Sequence, residues 1–234
     1  MEIAVISDLH LGQRDEADSF EHDDARFEHF LRFLERNFER IVLLGDIWET
    51  LTPRIPGDYE GELRRAKEAH PRIARRFESA KYWYVHGNHD WVAGKVDGAP
   101  DELTIDRGGL RVLFTHGHDH DAFVGHPRWL SEAGVWLGGW LKRFGLSHIY
   151  RLFERMEAIQ SERVGPGSLE DWASTLGVQR RADVVVTGHS HVPKRTDFPG
   201  VTFVNSGTCS GGRLEFAALD LGRGRFDVHQ SLSG

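Results

Sequence analysis

The chain has 234 residues, a formal net charge of −7 and one cysteine, Cys209. Its length fits one domain, or one domain with an insertion, and 39% hydrophobic with 28% charged residues is typical of a globular rather than a disordered chain. A single cysteine excludes an internal disulfide framework and a cysteine-rich zinc site. The acidic balance, without a basic stripe, argues against nucleic acid as a partner.

Short apolar runs rich in Val, Ile, Tyr and Phe recur along the chain and predict strands. Two segments between the first three runs have helical spacing, Phe20–Arg40 and Glu60–Glu78, and Pro71 should kink or divide the second. Strands that alternate with helices predict an α/β fold with a largely parallel sheet. The last three runs have short connections, so we expect an antiparallel hairpin or meander that completes a second sheet. The predicted strands are Ile3–Ser7, Ile41–Leu44, Tyr82–Val85, Arg111–Thr115, Asp183–Thr187, Val201–Asn205, Arg213–Leu219 and Phe226–His229.

The pattern changes between residues 121 and 179, where helical periodicity replaces the strand signal. We interpret this stretch as a helical insertion in a single domain that covers residues 1–234, with helices at Trp129–Phe144, Ser147–Arg163 and Ser168–Leu176. Its aromatic residues either pack the insertion onto the core or grip a hydrophobic substrate or a membrane surface. These aromatic residues include Trp136, Trp140, Phe144, Tyr150 and Phe153.

No run of about 18 apolar residues is present, and the chain does not open with a basic and apolar leader. We therefore expect a cytoplasmic protein, with the insertion as a candidate for peripheral contact with a membrane.

Five polar motifs each follow directly after an apolar run, and the chain holds 14 histidines, a density that packing does not explain. In open α/β sheets the ligand crevice lies outside the carboxyl ends of the strands, so these motifs should meet at one edge. Glycines before three of the polar residues permit sharp turns and a close approach of the backbone. The motifs are Asp8-Leu9-His10, Gly45-Asp46, Gly87-Asn88-His89-Asp90, His116-Gly117-His118 and Gly188-His189-Ser190-His191.

Carboxylate and imidazole together suit divalent metals such as Mn²⁺, Fe²⁺ or Zn²⁺. Asp8 and His10 are two residues apart, as are His189 and His191, so in an extended segment each pair lies on one face. The sequence therefore predicts a metal site built by several strand ends.

In their order, the five motifs resemble those of the calcineurin-like metallophosphoesterase superfamily, from Asp8 to about Gly207. The resemblance implies a two-sheet β-sandwich flanked by helices, with a dinuclear centre at the strand ends and Mn²⁺ as the leading metal. It implies that Asp8, His10, Asp46 and His191 bind one metal, and that Asp46, Asn88, His116 and His189 bind the other.

The same resemblance implies hydrolysis of a phosphate ester or pyrophosphate bond by attack of metal-bound hydroxide. His89 would protonate the leaving oxygen and Asp90 would orient His89, while Asn88 would also contact the substrate. A non-catalytic scaffold of this fold is the alternative class, and its sign would be missing ligands, whereas all seven are present here.

Within the superfamily, the layout is similar to the UDP-2,3-diacylglucosamine hydrolase family, which cleaves a pyrophosphate bond in a lipid-linked nucleotide sugar. The similar stretches include Ile6–Leu11, Leu44–Glu49 and Val85–Asn88. One departure is His89, where that family commonly has arginine. Other phosphodiesters, or phosphomonoesters of small molecules and proteins, are the alternative substrates.

Two further features are candidates without an assigned role. Arg14 follows the first motif and either contacts an anionic substrate or is an ordinary exposed arginine. The run from His118 to Asp121 either supports the metal ligands and lines the entrance or is a solvated loop.

Overall fold

The computed structural model describes residues 1–123, Trp136 and residues 167–230. Within these residues, ten strands form two mixed five-stranded sheets flanked by helices. The strands are β1 (Glu2–Ile6), β2 (Arg40–Leu44), β3 (Tyr82–Val85), β4 (Glu102–Arg107), β5 (Leu110–Thr115), β6 (Val184–Thr187), β7 (Lys194–Phe198), β8 (Val201–Asn205), β9 (Phe216–Asp220) and β10 (Arg225–His229). The helices are α1 (Asp24–Asn37), α2 (Tyr59–Ala69), α3 (Pro71–Phe77), α4 (Val92–Val96), α5 (Asp119–Phe123) and α6 (Leu169–Arg180).

The first sheet has the order β10-β9-β1-β2-β3. Strands β1, β2 and β3 are parallel, whereas β9 and β10 form an antiparallel hairpin beside β1. The second sheet has the order β4-β5-β6-β8-β7, with β5, β6 and β8 parallel and an antiparallel strand at each edge. The fold is therefore the two-sheet α/β architecture that the sequence predicts.

Three details of the predicted strands are wrong. The last three runs do not belong to one meander, because β8 lies in the second sheet while β9 and β10 extend the first. Strands β4 and β7 were not predicted at all. Both are edge strands with partly exposed polar side chains, so neither contains an apolar run.

The apolar core lies in three layers. Alternate residues of β1 point to opposite faces, so Ile3 and Val5 pack between the sheets while Ala4 and Ile6 pack against helices. The cluster between the sheets includes Phe114 and Val186 of the second sheet. Helices α1 to α3 cover the outer face of the first sheet, and α6 covers the outer face of the second.

The predicted helices match the structure with shorter bounds. Helix α1 begins after Asp23, whose carboxylate accepts the backbone amides of Ala25 and Arg26. The segment from residue 60 to residue 78 is divided at Pro71, as predicted, because proline lacks the amide hydrogen that a continuous helix requires.

Helix α6 covers the last helix predicted for the insertion. The helices predicted at Trp129–Phe144 and Ser147–Arg163 lie outside the described residues. Among the residues that are described, no helix is long and apolar enough to cross a bilayer.

Candidate metal centre

The five polar motifs meet where the parallel strands of both sheets end. The loops after β1, β2 and β3 come from the first sheet, and the loops after β5 and β6 come from the second. Three groups of three side chains form there among the described residues, and within each group one possible ligand atom per residue lies within 4.8 Å of the others. One of them is His10, Glu49 and His89, and the other two consist only of predicted ligands. The first group is Asp8, His10 and His191, and the second is Asp46, His116 and His189.

The two groups adjoin each other through His116. Its Nε2 lies 3.1 Å from Oδ2 of Asp46 and 3.9 Å from Oδ1 of Asp8. On the outer side, Nε2 of His191 lies 3.1 Å from the same oxygen of Asp8. Six of the seven predicted ligands are thus brought into one cluster, from loops that are far apart in sequence.

Several buried polar atoms at the strand ends make no hydrogen bond of good geometry, although two of them lie at ion-pair distance from another predicted ligand. Leaving such atoms unsatisfied is costly unless another partner binds them. These atoms are Oδ1 of Asp8, Nε2 of His10, Oδ1 of Asn88 and Nε2 of His116. Carboxylate oxygen, imidazole nitrogen and amide oxygen are all ligand types for divalent transition metals. The donor set therefore fits divalent cations, and Asn88, the seventh predicted ligand, follows β3 with its Oδ1 likewise lacking a hydrogen bond.

The backbone of the cluster is strained. Eight residues other than glycine have positive φ angles among the residues described, and five of them are predicted ligands. Residues other than glycine rarely adopt this conformation, and such strain concentrates at functional sites. The five ligands are Asp8, His10, Asp46, His189 and His191.

Two glycines allow the loops to approach one another. Gly45 has a φ of +81°, and a Cβ atom there would collide with the ring of His116. A Cβ on Gly188 would collide with the side chains of Ser7 and Asp8. Both positions therefore require glycine for a steric reason, as the sequence predicts.

Charge complementarity shifts the ionisation of the cluster. Burial alone would raise the pKa of Asp8, but His191 and His116 outweigh it and lower the pKa to about 2. Burial would lower the pKa of His116, but Asp46 and Asp8 raise it to about 10. The buried carboxylates and imidazoles of the cluster thus favour each other's charged forms.

His89 is paired with a glutamate that the sequence analysis did not single out. Its Nδ1 lies 2.7 Å from Oε2 of Glu49, and the same oxygen lies 3.4 Å from Nδ1 of His10. Burial would lower the pKa of His89, but Glu49 and Asp46 outweigh it and raise the pKa to about 9. Glu49 stands three residues after Asp46, and this short distance in sequence from a predicted ligand could have indicated that it reaches the site.

The prediction that Asp90 orients His89 is contradicted. The Asp90 carboxylate is fully buried and accepts the backbone amides of Asp46, Ile47, Trp48 and Gly87 at 2.6–3.3 Å. It also accepts the hydroxyl of Tyr84 at 2.6 Å. Asp90 therefore fixes the loop that carries Asp46, and its oxygens are occupied by donors other than His89.

Arg14 is likewise engaged elsewhere. Its guanidinium lies 2.5 Å from Asp24 on α1 and donates to the carbonyl of Ala69 at 3.2 Å. The arginine beside the cluster is Arg213, whose Nη1 lies 3.4 Å from the carbonyl oxygen of His191. Arg213 was not among the predicted site residues, because it stands at the start of a predicted strand rather than after one.

The His/Asp run after His116 lies next to the cluster. Oδ2 of Asp121 is 3.2 Å from Nε2 of His189, and the ring of His118 is 5.7 Å from that of His116. Nε2 of His120 lies 2.8 Å from the carbonyl of Gly167, just before α6. The run thus borders the site, and its His120 also contacts the residue that lies two positions before α6.

The sequence model of the calcineurin-like phosphoesterase superfamily domain matches residues 1–222. The chain belongs to this superfamily, and it is a metal-dependent phosphohydrolase.

Within the superfamily, the chain is similar to two proteins named UDP-2,3-diacylglucosamine hydrolase. The one from Sodalis glossinidius (strain morsitans) is 26% identical over 86% of each chain. The one from Shigella dysenteriae serotype 1 (strain Sd197) is 26% identical over 82% of this chain and 83% of its own. A solved archaeal phosphodiesterase shares the fold, with a TM-score of 0.51 at 16% identity over 99% of this chain and 100% of its own.

Proposed function

We propose that the protein is a dinuclear phosphohydrolase. Asp8, His10, Asp46 and His191 would hold one divalent cation, and Asp46, Asn88, His116 and His189 would hold the other. The observation that carries the proposal is the convergence of two adjoining ligand groups whose buried atoms lack hydrogen bonds. Mn²⁺ suits this mixture of carboxylate, imidazole and amide oxygen, with Fe²⁺ and Zn²⁺ as alternatives.

Two cations at this site would supply the positive charge that holds an anionic phosphate and makes water a better nucleophile. The protein has to orient them. His116 is oriented by the carbonyl of Leu44, 2.9 Å from its Nδ1, and His10 by Glu49 at its own Nδ1. In both histidines Nε2 therefore remains for the metal.

His89 would act as the general acid. Glu49 occupies its Nδ1 and stabilises the protonated ring, so the proton for the leaving oxygen would come from Nε2. The amide of His89 donates to Oδ1 of Asp46 at 2.8 Å, which fixes His89 beside the cluster. His89, Glu49 and Asp46 together thus hold a proton donor next to the bound phosphate.

For the substrate, we propose a pyrophosphate bond in a lipid-linked nucleotide sugar. The support is the similarity to two UDP-2,3-diacylglucosamine hydrolases over more than four fifths of each chain. The start of the predicted insertion also borders the cluster, since Oδ2 of Asp121 lies 3.2 Å from Nε2 of His189.

The pair of His89 and Glu49 favours a second candidate, hydrolysis of a phosphodiester or phosphomonoester. A strongly basic alkoxide leaving group has to be protonated as it departs. A phosphate released from a pyrophosphate is less basic and depends less on a proton donor. A histidine whose pKa is raised to about 9 is suited to supply it.

Arg213 would hold a phosphate oxygen at the rim. Its side chain is exposed, it lies beside His191, and its guanidinium forms no ion pair with a carboxylate among the described residues. An arginine of this kind can bind two oxygens of one anion.

The test is a metal count followed by a substrate panel. Protein purified without chelator, or reconstituted with Mn²⁺, should contain two metals per chain by elemental analysis. It should then be assayed on a lipid-linked nucleotide diphosphate, a nitrophenyl phosphodiester and a nitrophenyl phosphomonoester.

The highest kcat/KM on the lipid-linked substrate supports the first candidate, and the highest on the diester or monoester supports the second. One metal per chain would contradict the dinuclear centre. Absence of hydrolysis with Mn²⁺, Fe²⁺ and Zn²⁺ would contradict both candidates.

A further inference from the structure

Each of two proposed ligands, His10 and His116, has one ring nitrogen bound to a protein acceptor. Glu49 faces Nδ1 of His10, and the carbonyl of Leu44 faces Nδ1 of His116. Such acceptors fix the tautomer and orientation of metal-ligating histidines, and the opposite nitrogen then faces the metal. His189 has a corresponding acceptor, but at its other nitrogen.

Oδ2 of Asp121 lies 3.2 Å from Nε2 of His189. Asp121 stands on the open side of the ring with 38% of its side chain exposed, whereas Asp46 and His116 of the same ligand group are buried. Because Asp121 faces Nε2, it favours a proton on that nitrogen and leaves Nδ1 as the ring nitrogen with a lone pair.

Asp121 is itself held in place by its neighbours. Nε2 of His120 lies 2.8 Å from the carbonyl of Gly167, and the His120 ring contacts Trp172 of α6 with its centroid 6.2 Å away. The amide of Asp121 donates to the carbonyl of His118 at 3.1 Å. The carboxylate is therefore positioned by α5, its preceding turn and α6.

We propose that Asp121 is a positioning residue for the second metal, which fixes His189 as the Nε2–H tautomer so that Nδ1 is the ligand atom. Asp121 itself does not bind the metal. The inference rests on the proposed function only in taking His189 as a ligand. The tautomer belongs to the metal-free protein and can be measured there.

The first measurement is the tautomer of His189, read from long-range ¹H–¹⁵N correlations of the metal-free wild-type protein near pH 8. The proton should be on Nε2. A proton on Nδ1 would overturn the proposal, whatever metals or substrates the protein takes.

The second measurement is the affinity for Mn²⁺, by titration calorimetry of chelator-treated protein. Asp121→Ala should weaken binding at one site by about 10–100-fold, the range for partners of metal-binding histidines, and leave the other site unchanged. Asp121→Asn should restore most of the affinity, because its amide oxygen still accepts from Nε2. A Co²⁺ visible spectrum altered in Asp121→Ala and normal in Asp121→Asn would report the same change of ligand orientation.

Asp101→Ala is the matched control. Oδ1 of Asp101 lies 2.9 Å from Nε2 of His86, so this variant also removes a carboxylate from a histidine, but from one outside the ligand groups. Its Mn²⁺ affinity should equal that of the wild type.

Besides a proton on Nδ1, three results would overturn the proposal independently of any activity. They are an unchanged Mn²⁺ affinity in a folded Asp121→Ala protein, an equal loss in Asp101→Ala, and a Mn²⁺-bound crystal structure with an Asp121 oxygen at coordination distance. Failure of the proposed function would appear differently, as absence of hydrolysis by protein in which His189 still has its proton on Nε2.

Discussion

Oε2 of Glu49 lies between two imidazole rings, 2.7 Å from Nδ1 of His89 and 3.4 Å from Nδ1 of His10. One carboxylate oxygen thus joins the proposed proton donor to a proposed metal ligand. The backbone helps to hold it there, since Oε1 of Glu49 accepts the amide of Leu51 at 2.9 Å. Substitutions of Glu49 and of His89 should therefore lower kcat to different extents.

His89→Ala should lower kcat by about 10²–10⁴-fold, the usual contribution of a general acid, while two metals remain bound. The loss should be smaller for nitrophenyl esters than for alkyl esters, because nitrophenolate leaves without a proton. Steady-state kinetics on both ester types, with elemental analysis, checks this.

Glu49→Gln is the companion variant, since it keeps the shape but removes the charge that stabilises protonated His89. Its loss in kcat should be smaller than that of His89→Ala and again larger for alkyl esters. Equal losses on both ester types in His89→Ala would show that His89 does not protonate the leaving group.

Asp90→Asn should destabilise the protein rather than alter its chemistry directly. The buried carboxylate accepts hydrogen bonds from four backbone amides and the Tyr84 hydroxyl. In Asp90→Asn the side-chain NH2 group would replace one acceptor oxygen and would face hydrogen-bond donors. We expect a loss on the order of 3–5 kcal/mol in the free energy of unfolding, by urea denaturation.

The control for this variant is Asp97→Asn, which breaks a surface pair with Lys67 and should cost less than about 1 kcal/mol. Similar costs for Asp90→Asn and Asp97→Asn would contradict the structural role of Asp90.

Arg213→Ala should raise KM by about tenfold, the equivalent of one hydrogen bond to a charged group, with kcat changed less. Arg14→Ala is the matched control, because its guanidinium is bound to Asp24 and the Ala69 carbonyl. Its KM should be that of the wild type. If Arg14→Ala raises KM and Arg213→Ala does not, the assignment of the two arginines has to be reversed.

His22 should make the stability of the metal-free protein depend on pH. Burial lowers the pKa of His22 and outweighs the hydrogen bond to the Arg213 carbonyl, which raises it. The folded state therefore binds the proton less readily than the unfolded state. Neutral, buried His22 therefore contributes to the free energy of unfolding. The contribution is complete above a pH of about 6.5, the pKa of an unperturbed histidine, and is lost as the pH falls through the pKa of His22 in the folded state.

Urea denaturation of wild type and His22→Gln at several pH values checks the sign. Below pH 6.5 the wild type should lose stability relative to the variant, with a slope of at most about 1.4 kcal/mol per pH unit. His29→Gln, at an exposed position of α1, is the control and should follow the wild type. A wild type that gains stability relative to His22→Gln on acidification would contradict the prediction.

The central strands and the polar loops that follow them could be predicted from the amino-acid sequence alone. Strands β1, β2, β5 and β6 are buried on both faces, so each appears as a continuous apolar run. Because the carboxyl ends of parallel strands share an edge, the position of the motifs after the strands was enough to predict that their polar side chains meet there.

The pairing of distant segments depends on tertiary packing and could not be predicted from local sequence. Whether β9 joins β1 or the second sheet depends on packing between sheets, since its apolar residues fit either core. The partner of His89 was not Asp90, its neighbour in the chain, but Glu49 from the preceding strand's loop. Asp90 turns inward to the amides of residues 46–48, because buried backbone donors need acceptors and a buried carboxylate needs donors. Local sequence records which groups are available, while the fold decides which of them lie within hydrogen-bonding distance.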